Sequence, residues 1–369
     1  MSYFTPAIGW IWLSYLGRPN REIRNSLYTE YHTLEQIWNA AEQGGIPEWM
    51  EEKEVLRARF TDDKLRIQAA AVYERAAGAG MTVVTPDDQT YPCLLRQLHT
   101  MPCVLYCYGT MPKSAQRLLS VVGSRRCTSY GLNNASWFAG NLAQNGVGIV
   151  SGMARGIDGA AHKGALQVGG YTVAVLACGA DVVYPKEHQY IYDQIRSQGC
   201  VISELPPGAP PDKRFFPARN RIIAGMSEGT LLIEARKSSG AMITVDRAVN
   251  NDKTIYAIPG NIGVPTSEGG NDLIRQGAQC VTCPEDILED MGIVSSAERG
   301  IHLPDNISEI EKNIIMSIVQ GACYADTISV CTGIPVQGIY RGLTLLEMKG
   351  FVGKNPGGTY HLKNFHFTE

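Results

Sequence analysis

The spacing of apolar and polar positions divides the chain into three regions. Residues 1 to about 80 carry helix-like spacing and no convincing strand, over Trp10–Leu16, Leu27–Trp38 and a charged stretch from about Trp49 to Ala79. Val55, Leu56, Phe60, Leu65, Ile67 and Ala71 recur among the charges of that last stretch, an amphipathic pattern that predicts a small helical domain over 1–80. From about Leu118 the rhythm changes. Short apolar runs rich in β-branched residues recur at Leu118–Val122, Val147–Val150, Thr172–Leu176, Cys200–Ile202, Thr230–Ile233, Thr254–Ile258 and Gln279–Thr282. Stretches of helix length, such as Asn133–Gln144, Ile157–Val168 and Ile243–Asn250, lie between most of them. Continuous apolar strands separated by helices predict a parallel sheet covered on both faces, because the crossovers place helices there. The expected fold class is α/β: a Rossmann-like, doubly wound, mostly parallel sheet within a domain over 81–294.

A polar segment over 295–306 reads as a linker. Three helical patterns follow, over Ile307–Gln320, Ala325–Thr332 and Val336–Lys349. Phe351–Val352 and Thr359–Leu362 then flank Asn355-Pro-Gly-Gly, a strong turn signal. Three helices and a hairpin over 307–369 make a winged-helix pattern.

Composition narrows the function. Hydrophobic residues are 44% and charged residues 19% of the 369, which excludes a disordered chain, and the formal net charge of −3 excludes a molecule coated in positive charge. A nucleic-acid site must therefore be a local basic patch. The ten cysteines fall mostly within apolar runs, as expected of buried thiols in a reducing cytoplasm. Cys280 and Cys283 have metal-like spacing but no second pair to complete a zinc set, so neither metal nor cofactor is expected. Ile8–Leu16 lacks the basic flank and small-residue cleavage site of a signal peptide, and no run reaches the ~18–20 apolar residues of a membrane span.

The segments that carry chemistry sit at the carboxyl ends of the expected strands. Val121-Val-Gly-Ser-Arg-Arg126 ends the first, and a helix follows. Gly123 and Ser124 suit a loop whose amides meet phosphate at a helix N-terminus, and Arg125 adds a planar donor fork; a plain tight turn is the alternative. The dinucleotide fingerprint G-x-G-x-x-G is absent. Ser151-Gly-Met-Ala-Arg-Gly-Ile-Asp-Gly-Ala-Ala-His162 ends the second strand, with Arg155 in its turn and Asp158 and His162 four apart on one helical face. Without a nucleophile or metal partner, that pair reads as tying loops together. Lys186 follows the Tyr-Pro turn after the third strand, either near the same sheet edge or simply solvated.

The most informative stretch is Lys213-Arg-Phe-Phe-Pro-Ala-Arg-Asn-Arg221, with four cations, no acids and two adjacent phenylalanines in nine residues. Cations neutralise phosphates while rings stack on unpaired bases at ~1–3 kcal/mol per base, the combination single-stranded nucleic acid needs. The alternative makes Phe215 and Phe216 core residues and Arg219 and Arg221 internal ion pairs. Farther on, Gly229-Thr-Leu-Leu-Ile-Glu234 precedes Ser238-Ser-Gly-Ala-Met-Ile-Thr244, a strand with a glutamate just past it and then a small-residue helix start. Ser239 and Gly240 offer a second anion site there, and a buried Glu234 paired with Arg219 or Arg221 is an equally good structural account.

These segments, in this order, resemble the DNA-processing protein A family (DprA/Smf). The matching residues are Val122-Gly-Ser-Arg125, Ser151-Gly-x-Ala-Arg-Gly-Ile-Asp158, Gly179-x-Asp-x-x-Tyr-Pro185, Ser203-Glu204 with Pro206-Pro-Gly208, Phe216-Pro-x-Arg-Asn-Arg-Ile-Ile-Ala-Gly225 and Ile258-Pro-Gly-Asn261. Tyr91-Pro and Pro102-x-x-Leu-Tyr106 match just ahead of them, so the likeness runs from about Tyr91 to Leu288. The SAM-like helical and winged-helix flanks fit the family's architecture more loosely. The resemblance implies a non-enzymatic, cytoplasmic protein of natural transformation and recombination. It would bind and protect incoming single-stranded DNA, dimerise through its Rossmann-like domain and load the recombinase RecA. Carried over, the strand-binding positions are Gly123, Ser124, Arg125, Lys186, Lys213, a phenylalanine of the Phe215–Phe216 pair and Arg219, with Arg155, Asn220, Arg221, Ser239 and Gly240 on the same edge.

Two other functions have weaker support in the sequence. Gly229-Thr-x-x-x-Glu234 faintly echoes nucleotide phosphoribohydrolases, but the preceding Gly225-Met-Ser-Glu and the spacing to glutamate both depart from their pattern. A duplex-DNA regulator acting through the winged helix meets five Lys/Arg against six Asp/Glu over 305–369, no electrostatic footprint for a duplex. The third C-terminal helix still offers Gln337, Tyr340 and Arg341, suited to partner contact or weak DNA contact.

Overall fold

A computed structural model describes residues 4–16, 21–294, 307–319, 324–354 and 358–362. The chain forms two compact units, 1–291 and 292–369. The expected linker over 295–306 and the hairpin turn at 355–357 lie outside the described residues.

The first unit opens with helices α1 (Pro6–Tyr15), α2 (Arg21–Tyr31), α3 (Leu34–Glu42), α4 (Glu54–Phe60) and α5 (Asp63–Gly78). Caps set their starts: Thr5, Thr33 and Asp62 accept from the amides of Ile8, Gln36 and Lys64 at the heads of α1, α3 and α5. Trp12 packs edge-on against Trp38 with ring centroids 5.4 Å apart, and Phe60 joins it at 5.6 Å. This aromatic cluster is not a core of its own. It is continuous with Leu105, Val150, Val175, Ile202 and Ile222 of the sheet region.

β1 (Thr82–Val84), α6 (Cys93–Arg96) and β2 (Leu105–Gly109) follow. Then come β3 (Leu118–Val122), α7 (Ser129–Gln144), β4 (Gly148–Ser151), α8 (Ile157–Gln167), β5 (Thr172–Val175), α9 (Gln189–Gln198) and β6 (Cys200–Ser203). The chain returns through α10 (Phe215–Met226) to β7 (Gly229–Leu232), α11 (Gly240–Val249), β8 (Thr254–Ala257), α12 (Glu268–Arg275), β9 (Gln279–Cys280) and α13 (Pro284–Asp290). The nine strands form one sheet in the order β1-β2-β6-β5-β4-β3-β7-β8-β9. All pairs from β6 to β9 are parallel, as the apolar runs predict, and the fold is Rossmann-like and doubly wound.

Two strands were not anticipated. β2 adds antiparallel to β6, and β1 antiparallel to β2, extending one edge of the sheet. From β3 the chain winds outward through β4, β5 and β6; after α10 it winds the other way from β7. The loops leaving β3 and β7 therefore part, opening a crevice at the carboxyl ends of the central strands, where ligands of doubly wound sheets bind.

The second unit holds α14 (Glu309–Val319), α15 (Ala325–Thr332), α16 (Val336–Met348) and an antiparallel hairpin of β10 (Val352–Lys354) and β11 (Tyr360–Leu362). Ile314, Ile328, Ile339, Leu346 and Val352 form its own core. Glu311 is buried there; it accepts from Ser308 N at 2.7 Å and from Lys349 Nζ at 2.7 Å, and these donors hold its carboxyl below the usual range against burial.

Among the described residues four cysteines (Cys103, Cys107, Cys178 and Cys200) are buried, while Cys93, Cys280 and Cys331 are exposed, so thiol burial is less general than the apolar runs imply. Among the described residues no helix is long and apolar enough to cross a membrane, and no group of three or more His, Cys, Asp or Glu is placed to hold a metal ion.

Candidate functional site

After β3 the chain turns through Gly123–Thr128 into α7. A Cβ on Gly123 would press into the Ile157 side chain and come 2.9 Å from Glu234 O, so only glycine lets the loop lie this close to the end of β7. Two latches hold the loop. Ser124 N donates to Glu234 O at 2.6 Å, and the buried Glu234 carboxylate accepts from Thr128 N and Thr128 Oγ1, each at 2.8 Å. Of the two accounts the sequence left open, the pairing of Glu234 with Arg219 or Arg221 is not the one formed: its carboxylate is held by threonines. Thr128 also caps α7, accepting from Gly131 N at 3.3 Å, which starts that helix at Ser129, earlier than the apolar pattern suggests.

On the other side of the crevice Ser239 caps α11, its hydroxyl accepting from Ala241 N at 3.3 Å. The amides of Arg125 and Gly240, two residues that line the crevice, find no acceptor among the described residues.

α10 supplies the ring. Phe216, half-buried in its first turn, has the Arg125 guanidinium 4.8 Å and the Arg219 guanidinium 5.9 Å from its centroid. Tyr184 meets the same ring edge-on at 5.8 Å. Arg219 is only 6% exposed: Nη1 donates to Gly152 O at 2.7 Å and to Val175 O, and Nε to Asn220 Oδ1 at 3.3 Å. Burial pushes its guanidinium down to about 10, opposed by Asp158 and assisted by the like charge of Arg125.

These groups enclose a cavity of about 530 Å³, lined by Gly123, Ser124, Arg125, Phe216, Arg219, Asn220, Ser239 and Gly240 among others. Eight of the expected residues are thereby brought together. Two small cavities adjoin. One, of about 50 Å³, is shared by Arg125, Arg155, Tyr184 and Phe216, and the other, of about 20 Å³, by Phe215, Glu204 and Arg219. The adjacent phenylalanines thus serve different spaces.

Arg155 is exposed and ion-paired with Glu187, whose carboxyl its hydrogen bond holds down at about 2. Lys186 and Lys213 are exposed and line none of these cavities. Arg221 lines none either. Its Nη2 donates to both oxygens of Glu204, at 2.5 and 2.6 Å, so its charge is committed to an internal ion pair.

Asp158 and His162 have separate duties. Asp158 Oδ2 accepts from Gly152 N at 3.2 Å and Ala154 N at 3.3 Å, fixing the β4–α8 turn, and burial raises its carboxyl above the usual range. Thr172 Oγ1 donates to Ile149 O at 2.8 Å, so its lone pair accepts from His162 Nδ1 at 2.8 Å. Burial pushes that imidazole down to about 3.

The lining also includes Arg126, Arg236 and Ser238, and the adjoining cavity Tyr184, residues outside the expected binding positions. A signal existed for Arg236: with Lys237 it forms a basic pair between the end of a central strand and a helix cap. Tyr184 had its signal in the family-like Gly179-x-Asp-x-x-Tyr-Pro185 motif, but its contact with Phe216, remote in sequence, had none.

The family model for DNA recombination-mediator protein A matches residues 82–292. The chain is 36% identical over 289 residues to protein Smf of Escherichia coli (strain K12), covering 76% of this chain and 77% of that one. It is 41% identical over 203 residues to DNA processing protein DprA of Streptococcus pneumoniae, covering 55% of this chain and 72% of that one. The X-ray structure of DNA processing protein A from Streptococcus pneumoniae superposes with a TM-score of 0.66 at 32% identity, over 78% of this chain and 98% of that one. DNA processing protein A from Helicobacter pylori, solved for its single-stranded DNA binding mode, superposes with a TM-score of 0.51 at 28% identity, over 57% of this chain and 95% of that one. Matched across every strand of its large sheet and along most of its length by such relatives, the chain belongs to the DNA recombination-mediator protein A family.

Proposed function

We propose that this protein binds single-stranded DNA in the crevice at the switch point of its sheet. It acts there without catalysis, as a DNA-processing protein of natural transformation and recombination. The observation that carries the reading is the convergence of Arg125 and Arg219 on the ring of Phe216, beside two backbone amides that find no acceptor among the described residues. Phosphates take the guanidinium forks and amides; an unpaired base takes the ring. Lys186 and Lys213, exposed outside the cavity, would follow the backbone farther along. The Helicobacter pylori DNA processing protein A structure, solved for its single-stranded DNA binding mode, supports the same ligand. Against an N-glycosidic hydrolase stands Glu234, whose carboxylate is occupied by Thr128 and Thr266 rather than open to a substrate.

The strand would be protected in the cytoplasm and passed to RecA by a dimer formed through the Rossmann-like domain, with no metal or cofactor. The second unit, read as a winged helix, would contact a partner or hold DNA weakly. The test is titration of a short oligothymidylate at two salt concentrations. Arg125→Ala should lower affinity roughly tenfold, about 1.4 kcal/mol, and flatten the salt slope by about 0.7. Phe216→Ala should weaken binding by ~1–3 kcal/mol at an unchanged slope. An Arg125→Ala protein with the parent affinity and slope removes the crevice as the site.

A further inference from the structure

Resting on that reading, we infer that single-stranded DNA leaving the crevice lays its next bases on an apolar step built from Tyr130 and Ile262. β8 runs parallel to β7, and β7 to β3, so the 259–267 loop that leaves β8 stands on the same carboxyl edge as the crevice. Two strand spacings, about 10 Å, separate the ends of β3 and β8. The loop is tied to the crevice wall. Thr266 Oγ1 donates to Glu234 Oε1 at 3.3 Å, on the carboxylate that latches Thr128. Tyr130 Oη, from the first turn of α7, donates to Pro259 O at 3.1 Å. Arg126 at the cavity wall thus leads through Tyr130 to this loop.

Two turns and a clamp hold Ile262 out. Val264 N donates to Asn261 O at 3.3 Å around Ile262 and Gly263, with Gly263 at φ +82°, and Ser267 N donates to Val264 O at 2.9 Å around Pro265 and Thr266. Asn271 fixes the foot, Oδ1 accepting from Gly260 N at 3.1 Å and Nδ2 donating to Gly260 O at 2.9 Å. At the tip Ile262 is 99% exposed, the barest large apolar side chain among the described residues, and Tyr130 is 50% exposed. The first turn needs glycine at its third position but no isoleucine at its second, and a fully solvated isoleucine adds nothing to the core. An apolar side chain that the fold does not use, displayed on a braced loop beside the crevice, is explained by a ligand. That ligand is a base and not a phosphate, because residues 261–267 carry no charge. Apolar side chains wedge between base steps, and a phenol ring stacks on a base of any sequence. Lys186 and Lys213 stand past β5 and β6 on the opposite flank, so the strand is held by its phosphates on that side and by its bases on this one.

The test is titration of the full chain, at two salt concentrations, with an oligothymidylate of about 16 nucleotides and an abasic deoxyribose-phosphate oligomer of the same length. Ile262→Ser should lower affinity for oligothymidylate roughly fivefold at an unchanged salt slope and leave the abasic oligomer untouched. Ile262→Trp should raise affinity about threefold, and Tyr130→Ala should lower it about tenfold. Fully exposed, Ile262 can be replaced without moving the melting temperature. Oligothymidylate affinity at the parent value in both Ile262 variants overturns the inference; the crevice reading survives it if Arg125→Ala still weakens binding. An equal loss on the abasic oligomer also overturns it. So does a change of molecular mass by light scattering, which makes the tip a contact between copies of the chain. Strand binding indifferent to Arg125→Ala and to both Ile262 variants sinks the crevice reading as well.

Discussion

Glu187 governs how much positive charge the margin of the crevice offers. Its pair with Arg155 is exposed on both sides, so it adds little to stability, but it occupies a cation that would otherwise face the strand. With the carboxyl held down at about 2, the pair's stabilisation is complete above the ordinary glutamate value and fades only as pH falls from there toward 2. Neutral conditions keep Arg155 occupied. Glu187→Gln should therefore raise affinity for oligothymidylate about twofold and steepen its salt slope by roughly 0.7, read by titration at two salt concentrations. An unchanged slope would remove Arg155 from the path. His162 makes a second residue-scale prediction. Its folded value near 3 lies below the ordinary 6.5, because Nε2 is buried without a partner among the described residues. Stability should thus be full above 6.5 and fall with acid by up to about 1.4 kcal/mol per pH unit, and His162→Asn should flatten denaturant midpoints across pH 6 to 4. At this scale the run Lys213–Arg221 shows what sequence could reveal. Cations beside phenylalanines announced a nucleic-acid surface. Which cations face the crevice depended on Gly152, Val175 and Glu204, partners in other segments that no local pattern names.

The loop from β3 to α7 is where an element becomes a site. Thr128 caps α7 and latches to Glu234, so the loop that carries Arg125 is fixed by a helix start and a neighbouring strand together. Thr128→Val keeps the shape and removes both hydroxyl bonds. It should lower unfolding free energy by about 1–2 kcal/mol and weaken strand binding without changing the number of phosphates neutralised, hence without changing the salt slope. A parent-like midpoint would show that the latch does not set the loop. Gly156, at φ +76°, faces Ser124 O so closely that a Cβ cannot fit, and Gly156→Ala should cost about 1–3 kcal/mol by the same assay. The parallel strands were legible because burial on both faces leaves continuous apolar runs with helices between them. β1 and β2 were not: three and five residues long, antiparallel and without a crossover helix, they break the strand–helix rhythm of the rest of the sheet.

The first unit is built on a core that the sequence rhythm does not delimit. An amphipathic helix shows that it needs a partner, not which one, and the partner of the amino-terminal helices is the sheet unit. Trp10 Nε1 donates to Asp87 at 2.7 Å and Tyr108 Oη to Ala79 O at 2.7 Å, while Trp12, Trp38 and Phe60 continue into the same cluster as Leu105 and Ile202. Helices and sheet should therefore unfold as one. A protein ending at Met291 should melt in a single cooperative transition and bind oligothymidylate with the salt slope of the full chain. A protein beginning at Tyr91 keeps every crevice residue yet loses β1, the partner of β2, and bares the apolar side that the helices cover. It should aggregate or melt without a cooperative transition, followed by circular dichroism and light scattering, and its strand binding should fail with its fold. If that shorter protein instead melts as sharply and as high as the longer one, the helices are a separate module and the crevice stands on the sheet alone.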